Sequence, residues 1–321
     1  MTDLAPASPA SPGGAGANHV PRRRHRFSLL TRRDKVVLGV MIGVPVFLDV
    51  AFIWLPTFAS IGLSFTNWDG AGSLTAKNFI GLKNYQFLAS GYEPFWPAVS
   101  HNLIWLLFFV CVATPLGIFF AVLLDRELRG SVIYQNVFYL PVVLSLVIVG
   151  FIWELQYAPT DGFINGVLGR TSQDNLIDWL GNPAINIWAV VVAASWRHVG
   201  YIMVLYLAGL KSVDPGLREA AAIDGANERQ TFFRVVFPVM APINVVIVVV
   251  TVIESLRAFD LAFIINQGTN GLELLSTLIT NNSLSEASLI GFGSAIAVVL
   301  LTISLVPIVI YLTHVMREEG R

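Results

Sequence analysis

The stretch "EAAAIDGANERQTFFRVVFPVMAP", Glu219 to Pro242, interrupts a very apolar chain with charges, small residues, a glycine and two prolines. Its local chemistry specifies a helix-turn-helix. Just upstream, Asp214 can cap a helix, and Pro215 suits the first helical position, where its missing N–H costs nothing. Leu217 to Ala222 are good helix formers, and Gly225 tolerates the left-handed turn that ends a helix. A second helix is expected from about Asn227, with Pro238 and Pro242 setting its junction to the next apolar run. The alanine face would let another backbone approach closely. Arg218, Glu219, Asp224, Glu228 and Arg229 suit a polar partner surface.

The surroundings of this stretch belong to a membrane. Of 321 residues, 55% are hydrophobic and 13% charged, and the mean hydropathy is +0.68. Soluble domains average about 45–50% apolar and about 25% charged. Six runs, about 36–64, 98–124, 131–157, 186–210, 238–265 and 290–315, are long enough to cross a bilayer as helices. With the N-terminus placed inside, fifteen of the 20 Lys and Arg fall in the tail, loop 125–130, loop 211–237 and the C-terminus. Both termini are therefore expected to be cytoplasmic. Residues 1–35 read as a disordered basic cytoplasmic tail, 36–64 as the first span, and 65–97 as its external loop. Residues 98–315 then read as a five-helix transmembrane domain that includes loop 211–237, followed by a cytoplasmic end, 316–321. A cleaved signal is not expected, because the first apolar run is too long for one. Cys111, the single cysteine, excludes a disulfide framework or thiol metal cluster and reads as a small core residue. Pro45, Pro56, Pro115, Pro141 and Pro307 mark places where spans can kink.

Glu219-Ala220-Ala221, three residues, Gly225, nine residues and then "VVFP" resemble the EAA signature of permease subunits of binding-protein-dependent ABC importers. "GLKSVDPGLREAAAIDGA" and "FPVMAP" resemble the carbohydrate-uptake, maltose-type branch. So do "FIGLKNYQFL" at 79–88, "LPVVLS" at 140–145, "DGFINGVLG" at 161–169, "SWRHVGYIMVLYLAGL" at 195–210 and "GFGSAIAVVL" at 291–300. One departure is "NQGTNG", Asn266 to Gly271, where the family usually has a "GGP" turn.

The resemblance implies an all-α, six-span permease of the type I, maltose-permease-like fold in the cytoplasmic membrane. It would form half of a heterodimeric pore in membrane lipid, with a second permease, an ATPase subunit dimer and an external solute-binding protein. The cargo would be a mono- or oligosaccharide, and no nucleic acid is involved. In the family the EAA helix seats in a cleft of the ATPase subunit. That assigns polar contacts to Glu219, close packing to Ala220 and Ala221, the bend to Gly225 beside Asp224, and the joint to Pro238. No "GK[ST]" phosphate loop occurs, so ATP and Mg are expected in the partner ATPase, with no cofactor or metal in this chain and no enzymatic chemistry.

Charges within spans are functional candidates by default. Tyr201 and Trp196 in the fourth span, with Thr251, Glu254, Ser255, Arg257 and Asp260 in the fifth, are the candidate substrate path. Glu254, Arg257 and Asp260 are spaced three apart and would neutralise one another along one helical stripe. Arg197 and Arg257 leave open an anionic cargo such as glycerol 3-phosphate, against which Glu254 and Asp260 argue. An ion-driven secondary transporter would use the buried acids but needs no EAA loop. His198 reads as a hydrogen-bonded packing residue.

Overall fold

A computed structural model describes residues 31–126, 129–284 and 288–319. The expected disordered tail lies outside them as far as residue 30. Two units divide the chain, Met1–Pro56 and Thr57–Arg321. Beyond its cap residue Thr31, the first contributes only helix to the described residues, and none of that helix is buried.

Helix α1 runs Arg32–Leu63, α2 Lys83–Ser90, α3 Phe95–Leu124, α4 Ser131–Val143, α5 Leu146–Gln156 and α6 Phe163–Val167. Next come α7 Asn186–Ser212, α8 Pro215–Ile223, α9 Glu228–Val239, α10 Ala241–Leu256, α11 Asp260–Asn266, α12 Leu275–Ser283 and α13 Ile290–Glu319. Among the described residues the only β-type pairing is an isolated bridge between Thr66 and Phe79. The fold is all-α.

Helix α1 starts at Arg32, four residues before the expected span. Thr31 and Asp34 form a reciprocal capping box, so the basic residues Arg32, Arg33 and Lys35 belong to its first turn.

The six expected spans do not all survive as rods. Among the described residues four helices, α1, α3, α7 and α13, are long and apolar enough to cross a membrane. The third span is broken, with α4 and α5 meeting at 102°. Leu144 and Ser145 are extended there, and the Ser145 hydroxyl accepts the Ile148 N–H at 3.3 Å. A serine cap thus starts a new helix within an apolar run. The fifth span bends by 78° between α9 and α10 at Met240, where Pro242 sits in the first turn of the restarted helix. A further break at Arg257–Phe259 separates α10 from α11.

Three prolines share one local device. π-helical turns at Val50–Trp54, Phe109–Ala113 and Phe232–Val236 stand immediately ahead of Leu55-Pro56, Thr114-Pro115 and Phe237-Pro238. The residue preceding each proline bonds back to the carbonyl five residues earlier, for example Thr114 N to Phe109 O. The wider turn accommodates a ring that would clash with an ordinary helical carbonyl.

Helix α7 is the hub: 61% of its most apolar stretch is buried, against 28% in α3 and 11% in α13. Lipid tails are as apolar as leucine, so helices in a membrane associate through close packing rather than burial from water. Glycine makes that possible here. An added Cβ at Gly200 would lie 2.1 Å from the Phe138 carbonyl oxygen on α4, and one at Gly117 2.9 Å from the Val199 carbonyl oxygen on α7.

Helix α12 was not expected. It is held by the Asn102 side chain, which accepts the Leu275 N–H at 2.9 Å, and by Ser276, whose hydroxyl donates to the Ala258 carbonyl. In the preceding "NQGTNG" turn, Gln267, Gly268, Asn270 and Gly271 all have positive φ. Cys111 is exposed on α3 rather than a core residue.

Candidate functional site

Two concave features gather several of the expected site residues. The first is the helix-turn-helix. Asp214 Oδ1 accepts the Gly216 N–H at 2.9 Å and starts α8, which ends at Asp224. Gly225 follows at φ +79°, with the Ala226 N–H bonded to the Ala221 carbonyl at 3.0 Å. Asn227 and Gln230 then cap α9 reciprocally, each bond 2.9 Å. Between the two helices lies a groove of about 520 Å³ lined by Ala220, Ala221, Asp224 and Gly225, together with Leu217, Ala226, Gln230, Arg234 and Val235. Glu219 and Pro238 do not line it. Glu219 is exposed on α8, and Pro238 is exposed on α9. Ile223, 86% exposed at the tip of α8, is a large apolar side chain that the sequence reading did not single out.

Two adjacent residues beyond α3 anchor this unit. Arg218 bonds Asp125 at 2.7 Å and also reaches the Leu210 carbonyl at 3.2 Å, while Arg126 bonds Glu228 at 2.7 Å. Arg218 and Glu228 are thus engaged within the chain. The Asp125 side chain is 15% exposed and that of Glu228 81%, so the two pairs differ in worth. Truncating Asp125 to alanine is expected to weaken the seat of α8 by about 1 kcal/mol, and truncating Glu228 by less than about 0.5 kcal/mol. Hydrogen exchange of the α8 amides checks this: D125A should accelerate it severalfold, and equal effects in both variants would refute the ranking.

The second feature is a cavity of about 390 Å³ where α3, α5, α7, α10 and α11 meet. Trp105 and Phe109 come from α3, Leu146 from the start of α5, and Ala194, Arg197, His198 and Tyr201 from α7. Glu254 comes from the last turn of α10, the Arg257–Phe259 break supplies Arg257, Ala258 and Phe259, and α11 supplies Asp260 and Leu261. Its wall is part of a core in which Trp105, Phe109, Val149, Val190 and Leu261 pack together.

Of the expected path residues, Tyr201, Glu254, Arg257 and Asp260 line this cavity. Trp196, Thr251 and Ser255 do not. Trp196 turns to a separate apolar pocket with Ile152, Trp153 and Phe163, edge-to-face with Trp153 at 6.0 Å. Thr251 and Ser255 are 1% and 0% exposed, on the buried side of α10, where the Ser255 hydroxyl bonds back to the Val252 carbonyl. The expected acid–base–acid stripe is also absent, because α10 stops at Leu256. Glu254 pairs instead with Arg197, at 3.8 Å, and Arg257 and Asp260 make no ion pair among the described residues.

Trp105 and Phe109 were missed; their i, i+4 spacing in an apolar run is equally that of ordinary core. His198 is packed as expected, against Phe109 and two threonines, yet also lines the cavity. No group of three or more His, Cys, Asp or Glu suited to a metal occurs among the described residues.

Residues 113–317 match the family described as binding-protein-dependent transport system inner membrane component. A xylose/arabinose import permease of Haloferax volcanii is 33% identical over 282 residues, 87% of each chain. A probable ABC transporter permease of Pyrococcus horikoshii is 30% identical over 289 residues, 89% of this chain and 96% of its own. Among solved structures, a bacterial alginate ABC transporter in complex with an alginate pentasaccharide-bound periplasmic protein superposes with a TM-score of 0.75 at 22% identity, covering 90% of this chain and 96% of that one.

Proposed function

The chain belongs to the family of binding-protein-dependent transport system inner membrane components, and from this premise we propose that it carries a mono- or oligosaccharide across the cytoplasmic membrane. It is a membrane-embedded permease of the ABC importer class. The observation carrying the proposal is that the matched residues, 113–317, include the helix-turn-helix as well as the α7, α10 and α11 walls of the cavity.

The groove between α8 and α9 would receive the ATPase subunit. Its alanine and glycine lining admits a close-fitting side chain, and the exposed Glu219 and Ile223 offer one polar and one apolar contact beside it. Two such permeases, an ATPase dimer and an external solute-binding protein would complete the importer. The tail, the α8–α9 unit and the C-terminus would then be cytoplasmic. ATP and Mg would reside in the ATPase.

A sugar suits the cavity better than a phosphorylated polyol. Its volume of about 390 Å³ falls within the ordinary range for small-molecule sites. Arg197 and Arg257 face Glu254 and Asp260 around the same space, so the formal charges balance and a dianion would meet two carboxylates. Tyr201, Trp105 and Phe109 supply flat apolar faces, and the charged groups supply hydrogen bonds for hydroxyls.

The test is the complex in proteoliposomes with its binding protein, ATP inside, and labelled xylose, arabinose, maltose or glycerol 3-phosphate outside. At least one sugar should accumulate and stimulate ATP hydrolysis, while glycerol 3-phosphate should not. Accumulation of glycerol 3-phosphate alone would sink the reading, and so would sugar uptake that needs no ATPase subunit.

A further inference from the structure

Building on the reading of the cavity as the solute path, we propose that His198 is a solute-contacting residue. Its imidazole presents Nδ1–H to the cavity as a donor for a saccharide hydroxyl oxygen, and Thr114 and Thr251 fix that tautomer from behind. Helices α3, α7 and α10 each supply one member of the cluster. His198 Nε2 lies 3.2 Å from Thr114 Oγ1 and 3.3 Å from Thr251 Oγ1, and the two hydroxyls are 3.0 Å apart. Phe109 stacks on the ring with centroids 4.3 Å apart. The three polar residues are 9% (Thr114), 4% (His198) and 1% (Thr251) exposed, so their protons need partners within the protein.

Counting those protons assigns the ring. Neither threonine hydroxyl makes any other hydrogen bond among the described residues. The two hydroxyls share one bond, which uses one of their two protons. The other proton has only Nε2 as an acceptor. A proton on Nε2 would leave a buried hydroxyl hydrogen with nowhere to go, so the single N–H of the neutral ring sits on Nδ1.

Nδ1 makes no protein hydrogen bond among the described residues, and His198 lines the cavity. Nδ1 also stays accessible, unlike Trp105 Nε1 and Arg197 Nε, which are buried without a partner on neighbouring walls. An accessible N–H without a protein acceptor, on a residue that lines this space, complements a solute rich in oxygen acceptors. Thr251 enters the mechanism here as a positioning residue that acts through His198 rather than by touching solute.

The test has two arms, both on the assembled complex in lipid nanodiscs or proteoliposomes, with copurification of partner subunits as the check on folding. In the first, histidine labelled with nitrogen-15 is compared between the wild type and H198Q to assign the ring signals. Nδ1 should resonate as a protonated nitrogen and Nε2 as a bare one, and the T114V/T251V double variant should lose that preference. A protonated Nε2 in the wild type overturns the proposal.

In the second arm, uptake of labelled xylose, arabinose and maltose is measured. Glutamine places its amide near Nε2, keeping the threonine contact and dropping the cavity donor, so H198Q should lower uptake of the transported sugar about tenfold. Asparagine places its amide near Nδ1, so H198N should stay within about threefold of the wild type. Equal losses in both variants would make His198 a packing residue only. If the wild type carries none of the three sugars, the sugar reading fails, and the ring signals still decide the tautomer.

Discussion

Replacing Gly200 by alanine is expected to loosen the α4–α7 crossing enough to lower the recovery of folded protein, and replacement by valine should lower it further. The new Cβ would lie 2.1 Å from the Phe138 carbonyl oxygen and 3.2 Å from Val142 Cγ2. Backbone oxygen cannot rotate away as a side chain can, so α4 itself must shift. Overpacking typically costs about 1–3 kcal/mol, and here the displaced helix also carries the turn into α5. A Cβ at Gly209, in the same α7, would lie 2.6 Å from the terminal methyl of Met240, a flexible neighbour that can move. Thermal unfolding in detergent should therefore rank G200V below G200A, and G200A well below G209A. Equal midpoints for G200A and G209A would show that the close approach is not what holds α4 against α7.

Replacing Gly225 by valine should leave the bundle assembled while reducing uptake by about tenfold or more. Gly225 sits at φ +79°, and no atom of a residue beyond its immediate chain neighbours lies within 4 Å of where its Cβ would be. The penalty is thus conformational: a non-glycine residue in the left-handed region costs about 1–2 kcal/mol, and a β-branched one is a genuine outlier there. The chain relieves it by changing the angle between α8 and α9, which reshapes the groove. Asparagine tolerates this region, so G225N should retain most uptake. The measurement is ATP-driven uptake alongside midpoints of thermal unfolding. Full uptake by G225V, or a collapse of assembly matching that of G200V, would remove Gly225 from the coupling role.

The parts of this protein that were legible in its sequence are those specified by neighbours in the chain. The ends of α8 follow from Asp214, Pro215 and Gly225, and the start of α9 from Asn227, because capping and left-handed turns depend on a few adjacent residues. The same holds for the apolar runs. Their composition states that they must leave water, whatever they pack against. The capping box of Thr31 and Asp34 was equally local, and reading it would have started α1 at Arg32. Ser145 was harder, since a serine in an apolar run caps a new helix only if the helix before it stops.

Membership of the cavity could not be read that way. Spacing along α10 puts Thr251, Glu254 and Ser255 on neighbouring faces, but which face meets α3 and which opens to the cavity depends on where α3 and α7 lie. The stripe from Glu254 through Arg257 to Asp260 required a continuous helix, and α10 ends before Arg257. Ser276 on α12, bonded to the Ala258 carbonyl, helps hold the chain in that broken course. By itself, the sequence determined that this chain is an all-α membrane protein with a helix-turn-helix between its fourth and fifth apolar runs, because hydropathy, capping and turn chemistry act over a few residues. Only the tertiary structure decided that His198 and Asp260 share a cavity while Ser255 is sealed behind it, because burial is a relation between helices far apart in the chain.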